Sequence, residues 1–295
     1  MERVFDQRQL QALAAIVSEG TFEAAAQRLH VTPSAISQRV KALEANVGRV
    51  LLSRTRPLRA TPSGETLLRA ARQIESVMAT AAQELGSAGS GEPAVLTLAV
   101  NADSLALWLV RALARVNGVV FELRREDESR TAQLLREGSV MAAITAMASP
   151  VPGCTVVPLG RMRYHACASP EFAGRWFPHG ASTQALSITP LVAFDRDDLL
   201  QQRYLRKWTK RRLAPPVHFV PGTSAYVEAV REGLGWGMVP ALQAVPLMKD
   251  GLLVEIDAPR SVDVPLFWQQ WRLRSHVLDA VADAVRVRAA EALAL

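Results

Sequence analysis

The chain has 295 residues, 49% of them hydrophobic and 21% charged, and its 34 Lys and Arg against 28 Asp and Glu give a formal charge of +6. That length predicts two or three domains with cores of their own, and the composition belongs to a soluble globular protein, not to a fibrous or disordered one. The two cysteines, Cys154 and Cys167, are too few for a disulfide framework or a structural zinc site, and no apolar run is long enough to span a membrane.

Asp6, Gln7 and Arg8 interrupt any N-terminal apolar stretch, so no signal peptide is read and a cytoplasmic location is expected. Residues 1–60 carry nine basic and five acidic side chains, so most of the excess charge sits there; a pI near 9.9 is compatible with a polyanionic partner.

Leu10, Leu13, Ala14 and Val17 form the stripe of a first helix, with Asp6 as cap and Gly20 as stop. Phe22 to Leu29 is a second helix, whose alanines permit the close approach of a helix-turn-helix. After the turn His30-Val31-Thr32, Thr32 is an N-cap and Pro33 stands at the first helical position, where its missing N–H is harmless. Ile36, Val40, Leu43 and Val47 then recur as one apolar stripe. Ser34, Ser37, Gln38 and Lys41 fall on the other side with Arg39 on the flank, and no acid occurs before Glu44. An ordinary surface helix would carry Glu/Lys pairs on that side. Short hydrogen-bonding residues near the N-terminus suit a helix that reads base edges, with Thr32 and Pro33 at its entry. The segment Arg49 to Arg59 holds Arg49, Arg54, Arg56 and Arg59 without an acid, as a wing along phosphates requires. A small helical bundle with a solvated basic loop is the plainer alternative, but it leaves the polar face unexplained.

Thr61-Pro62-Ser63 opens a long helix to about Leu85. Leu67, Ala71, Ile74, Met78, Ala81 and Leu85 alternate by four and three as a heptad seam. The stripe could pack on its own domain. Its narrowness and length favour a dimer helix that pairs two subunits. Gly86 to Pro93 reads as a flexible linker. From Val95 onward strands and helices alternate. Strands are predicted at Val95–Val100, Val119–Leu123, Met141–Ile144, Leu191–Phe194, Val217–Val220, Trp236–Val239 and Leu266–Leu273. The helix after the first strand is expected to be capped by Asp103-Ser104 and to run through Val116. A closing helix is predicted over Ser275–Leu295, and the alternation implies parallel sheets with helices on both faces.

Ligands in such folds bind beyond the carboxyl ends of strands, near helix N-termini. Asn101, Asp103, Ser104, Thr145, Asp195, Gly222, Thr223 and Ser224 stand at such points, with Asp127 nearby. Hydroxyls and backbone N–H groups suit an α-carboxylate, and Asp103, Asp195 or Asp127 could pair with an ammonium or guanidinium. Asp103, Ser104, Thr223 and Ser224 could each equally be an ordinary helix cap, but as a set these places favour a ligand cleft. Enzyme chemistry finds little support. Gly233-Leu234-Gly235-Trp236-Gly237 follows a helix and enters a strand, the reverse of a dinucleotide site. The five histidines lack metal-ligand spacing, and His165 beside Cys167 reads as packing along a strand. No cofactor or metal is expected.

The set Leu10, Phe22, Ala25 to Leu29, Pro33 to Val40, Leu43-Glu44, Gly48, Leu51-Leu52, Arg54 and Thr61 to Gly64 resembles the winged helix-turn-helix of LysR-type transcriptional regulators, and length and domain order agree over the chain. Gly20 to Glu23, Ser34 to Glu44, Asn101 to Leu105, Gly233 to Gly237 and Trp268 to Arg272 are similar to the branch of ArgP/LysG-like regulators of basic amino-acid export. The resemblance implies an α/β chain. A winged helix-turn-helix over 1–60 and a linker helix over 61–86 come first, then a hinge over 87–93. A two-lobed periplasmic-binding-protein-like (type 2) effector domain follows over 94–295. Lobe I would comprise 94–163 and 267–295, and lobe II 164–266. It further implies a homodimer or homotetramer on double-stranded operator DNA, in contact with RNA polymerase. Lysine or arginine would be the effector and an exporter gene the target; a regulator sensing another carboxylate metabolite, or less readily a cytosolic solute-binding protein or enzyme, is the alternative.

Overall fold

Side-chain caps delimit the first helices of the computed structural model, which describes residues 5–53, 55–84, 94–126, 128–273 and 275–293. Asp6 accepts the Arg8 N–H at the start of α1 (Gln7–Glu19), and Gly20 ends it. Thr21 caps α2 (Phe22–Arg28), and Thr32 accepts the Ala35 N–H at 3.2 Å to start α3 (Pro33–Val47). Leu13, Ile16, Ala25, Ile36 and Leu43 are fully buried where the three helices meet. Each large aliphatic buried there contributes about 1.5–3 kcal/mol. Strands β1 (Leu52–Ser53) and β2 (Arg59–Ala60) pair antiparallel as a short wing.

Helix α4 (Pro62–Glu84) starts where Thr61 Oγ1 accepts the Gly64 N–H and donates to the Val50 carbonyl. Gly64 is dictated by proximity, since a Cβ there would lie 2.0 Å from the Leu51 carbonyl oxygen. The heptad seam divides. Leu67 and Ala71, with Leu68, are buried in the core of their own DNA module, so these two do not face a second subunit. The physical reason is that the first turns of α4 roof the three-helix core. Ile74, Val77 and Met78 are 40%, 45% and 55% exposed and form an apolar strip. The side chain of Ala81 and all of Leu85 lie outside the described residues, as do the expected hinge and Arg54 and Asp127.

Strand β3 (Ala94–Val100) leads into a continuous helical run: α5 (Ala102–Ser104), one π-turn (Leu105–Leu109) and α6 (Val110–Leu113). Its cap is Asn101, not Asp103-Ser104, because the Asn101 side-chain Oδ1 accepts the Ser104 N–H at 2.9 Å. Then come β4 (Val119–Arg125), α7 (Glu128–Glu137) and β5 (Ala142–Thr145), with β4 and β5 both parallel to β3. Strand β6 (Cys154–Ala168) is long and crosses into the second lobe.

That lobe holds α8 (Pro170–Trp176), α9 (Thr183–Ile188), β7 (Leu191–Ala193), α10 (Leu200–Leu205), β8 (Val217–Phe219) and α11 (Thr223–Arg231). It continues through β9 (Gly237–Pro240), α12 (Ala241–Lys249) and β10 (Val254–Glu255). Strand β11 (Val262–Trp271) returns to the first lobe, where α13 (His276–Ala292) closes the chain. The all-parallel expectation fails at β6 and β11. They pair antiparallel from Tyr164↔Val262 to Cys154↔Trp271, and β11 is also antiparallel to β5. An outgoing and a returning connection side by side must be antiparallel. Their register shifts between Leu266 and Phe267, leaving Leu159 unpaired, and Gly160, the partner of Leu266, sits so close to α13 that a Cβ would meet Leu293 at 2.8 Å.

Candidate DNA interface and effector cleft

On α3 the burial of Ile36, Val40 and Leu43 leaves Thr32, Pro33, Ser34, Gln38 and Lys41 exposed, with Ser37 and Arg39 half-buried on the flanks. The outward face therefore presents hydroxyl, amide and ammonium groups and no carboxylate. Glu44, the first acid of the helix, turns inward, where its Oε1 accepts the Leu51 N–H at 2.8 Å. The Leu58 N–H donates to the Gly20 carbonyl at 3.1 Å, so the wing is tied to the helix-turn-helix by the Glu44 side chain before β1 and by the Gly20 backbone before β2. Arg56 and Arg59 stand exposed on the wing. A polar helix face beside a fixed basic wing is the surface that a major groove and its flanking phosphates require.

The second site is a cavity of about 620 Å³ between the lobes. Of the expected effector residues, Asn101, Asp103, Asp195 and Thr223 line it. Ser104, Thr145, Gly222 and Ser224 do not. Ser104 is buried beneath its helix; Thr145 is buried in a network with Met147 and Gln269, and Ser224 points to solvent on α11. Residues that sequence spacing did not single out complete the wall, among them Arg125, Glu126, Tyr164, Asp198, Arg203 and Tyr226. The sequence marks a strand only around His165 and Cys167, as packing, so Tyr164 beside them is not singled out, and Asp198 lies in a loop.

Five carboxylates line the cavity (Asp103, Glu126, Asp195, Asp197 and Asp198) against two guanidiniums, Arg125 and Arg203. Glu126 pairs with Arg130 at 3.3 Å, and Asp195 closes a turn by accepting the N–H groups of Asp197 and Asp198. Asp198 accepts from the Phe194 and Leu200 N–H groups and from Gln201, whose amide also reaches the Tyr226 hydroxyl. Asp103 is different. Among the described residues its carboxylate accepts only the Tyr164 hydroxyl, at 2.6 Å. Burial among protein atoms, reinforced by the Asp198 charge and opposed by the Tyr164 hydrogen bond, lifts its carboxyl above the usual carboxylate range. The Tyr164 hydroxyl is pushed well above its ordinary value, first by burial and then by Asp103, and so remains a donor. Opposite, α11 has no side-chain cap, so its first N–H groups beside Thr223 are open to the cavity wall. Arg125 of lobe I lies 5.7 Å over the Phe194 ring of lobe II, one direct contact across the mouth.

No cluster of three metal-ligating side chains occurs among the described residues, and no helix among them is long and apolar enough to cross a membrane. His165 pairs with Glu255 at 2.7 Å, and burial pushes the Cys167 thiol up to about 12, so both have packing roles.

Reading head, long helix and interlobe cavity together define a DNA-binding transcription regulator with a small-molecule domain. The chain belongs to the LysR family: residues 7–65 match the bacterial regulatory helix-turn-helix of that family, and residues 90–290 match its substrate-binding domain. It is 45% identical over 284 residues to the HTH-type transcriptional regulator LysG of Mycobacterium tuberculosis, covering 96% of this chain and 93% of that one. The crystal structure of ArgP from Mycobacterium tuberculosis superposes with a TM-score of 0.90 at 45% identity, over 95% of this chain and 96% of that chain. Full-length LysG from Corynebacterium glutamicum with bound effector Arg superposes at 0.82, with 40% identity over 98% and 99%.

Proposed function

We propose that the protein senses a basic amino acid, arginine or lysine, in the interlobe cavity and controls the gene of a basic amino-acid exporter. The observation that carries this reading is the charge of the cavity: five carboxylates against two guanidiniums, with the half-buried Asp103 lacking a cationic partner among the described residues. A simple carboxylate metabolite would meet a wall of its own sign. A basic amino acid satisfies both ends, its cationic side chain against Asp103 and Asp198 and its α-carboxylate against the open N-terminus of α11. The relative from Corynebacterium glutamicum with arginine bound supports the same assignment. Two copies pair through the exposed strip of α4 and place two recognition helices on operator DNA. Ligand held by both lobes then alters the disposition of the subunits and the approach of RNA polymerase. The test is calorimetric titration of the full chain with arginine, lysine and a panel of neutral-side-chain carboxylates. Saturable binding of arginine or lysine is expected. Binding of the carboxylates alone would overturn the assignment.

A further inference from the structure

From Leu199 to Val227 the chain carries six cations, Arg203, Arg206, Lys207, Lys210, Arg211 and Arg212, and no acid. Two of the protein's four lysines fall in this stretch. All six side chains are exposed, along the C-terminal end of α10 and the segment that leads to β8. Among the described residues none of the six has a carboxylate partner at ion-pair distance, and Lys207 is bound to the Ser261 carbonyl alone. Nearby acids are already engaged: Asp257 pairs with Arg260 at 2.9 Å and Asp263 with Arg163 at 2.9 Å. Unpaired like charges on one exposed segment repel each other, so the patch is a cost to the isolated fold. Arg203 stands in the last turn of α10, where a helix end favours a cation, and also lines the interlobe cavity, so the other five form the outer patch.

We infer that this face of lobe II is a second DNA contact, a sequence-independent seat for the phosphate backbone beyond the reach of the recognition helices. A protein partner fits less well, because protein interfaces rest on aromatic anchors that enter a pocket. Here Trp208 is half-buried, and Phe219, though 43% exposed, lies beneath a guanidinium and enters no pocket. The Arg260 guanidinium lies 4.1 Å over the Trp208 ring and that of Arg196 4.9 Å over Phe219. Phosphate recognition needs charge and no apolar centre; the exposed apolar side chains of this stretch, Leu199, Val217 and Phe219, lie at its two ends, and Arg206, Lys207, Lys210, Arg211 and Arg212 hold the span between them.

The test uses the full chain and a long random-sequence duplex over a salt series. Replacement of Lys210, Arg211 and Arg212 together by Gln is expected to weaken binding and to reduce the log–log salt slope by about 0.9 per lost contact, or about 2.7 in all. Between 50 and 200 mM salt the parent should then lose about 40-fold more affinity than the variant. The charge-preserving variant with Lys210→Arg, Arg211→Lys and Arg212→Lys should keep the parent slope. Arginine titration of the cleft, which does not include these three residues, checks the fold; if it is disturbed, Arg212→Gln alone, expected to lower the slope by about 0.9, takes the place of the triple variant. A parent-like slope in the Gln variant would overturn the inference. So would an unchanged slope with lost binding to RNA polymerase or to anionic vesicles, which would assign the face to a protein or a lipid surface.

Discussion

Replacing Asp103 by Asn removes one charge while leaving a carbonyl oxygen to accept the Tyr164 hydroxyl. In the parent the carboxyl stands above the usual carboxylate range because of burial, with Asp198 adding to the shift. An arriving guanidinium compensates that charge, and loss of a desolvated charge partner costs about 2–5 kcal/mol. At 1.4 kcal/mol per factor of ten, arginine affinity should fall by about 30-fold to a few thousand-fold. A linked proton gives a second, independent readout. The carboxyl is raised in the free protein and must be ionised against a guanidinium, so arginine binding should weaken, with release of a proton, as pH falls through the Asp103 titration. The free protein has the opposite dependence. Because the folded value lies above the unfolded one, the contribution to stability is fully present below the unfolded value and is lost as pH rises through the folded value. The Asn variant should lose both dependences and, unliganded near pH 7, melt no lower than the parent. Calorimetry in two buffers of different ionisation enthalpy measures affinity and proton release together. An Asn variant that binds arginine as the parent does, with the same proton release, would refute the role given to Asp103.

Gly64→Ala drives a methyl into the Leu51 carbonyl, and overpacking of this kind costs about 1–3 kcal/mol; thermal unfolding of the DNA module should move down, and an unchanged melt would show that the wing yields freely. Ile74→Asp, on the exposed strip of α4, should abolish pairing of subunits in sedimentation without unfolding the monomer, whereas Leu68→Asp buries a charge in the DNA module and should unfold it; a dimer of full strength in Ile74→Asp would place the pairing surface elsewhere. Gln38→Ala should relax base preference at one operator position by about 1–3 kcal/mol while leaving random-duplex affinity intact; parental selectivity in a binding-site selection would remove Gln38 from base reading.

The DNA module was legible because its signals are local. Thr32, Pro33 and the stripe Ile36, Val40 and Leu43 each act within one helix, and the structure leaves the predicted polar face outward. The class of the second domain was legible from the alternation of elements, but the cavity only in part. Asn101, Asp103, Asp195 and Thr223 were found because they follow strands, as ligand residues in open sheets do. Ser104 and Thr145 share that position in sequence, yet burial turns them away, and one-dimensional spacing carries no such direction. Tyr164 was missed because β6 alternates too weakly in its central stretch, Pro158 to Arg163, to stand out as a strand. The heptad seam misled for a related reason. A period of 3.5 records that one face is apolar, not which body covers it, and α4 gives the N-terminal part of that face to its own module.

The lobes are joined by the paired strands β6 and β11, not by loops. A two-stranded ribbon laced by hydrogen bonds resists stretching and shear but bends where the lacing shifts register, and here that place is between Leu266 and Phe267. Motion of one lobe against the other is thereby confined to little more than one direction. Gly160, pressed against Leu293 at the end of α13, puts a mechanical stop beside that bend. Part of the free energy of effector binding is thus set by the stiffness of this ribbon. A substitution at the bend that touches no ligand will retune the concentration at which the regulator responds, as a spring sets the range of a balance without touching the pan.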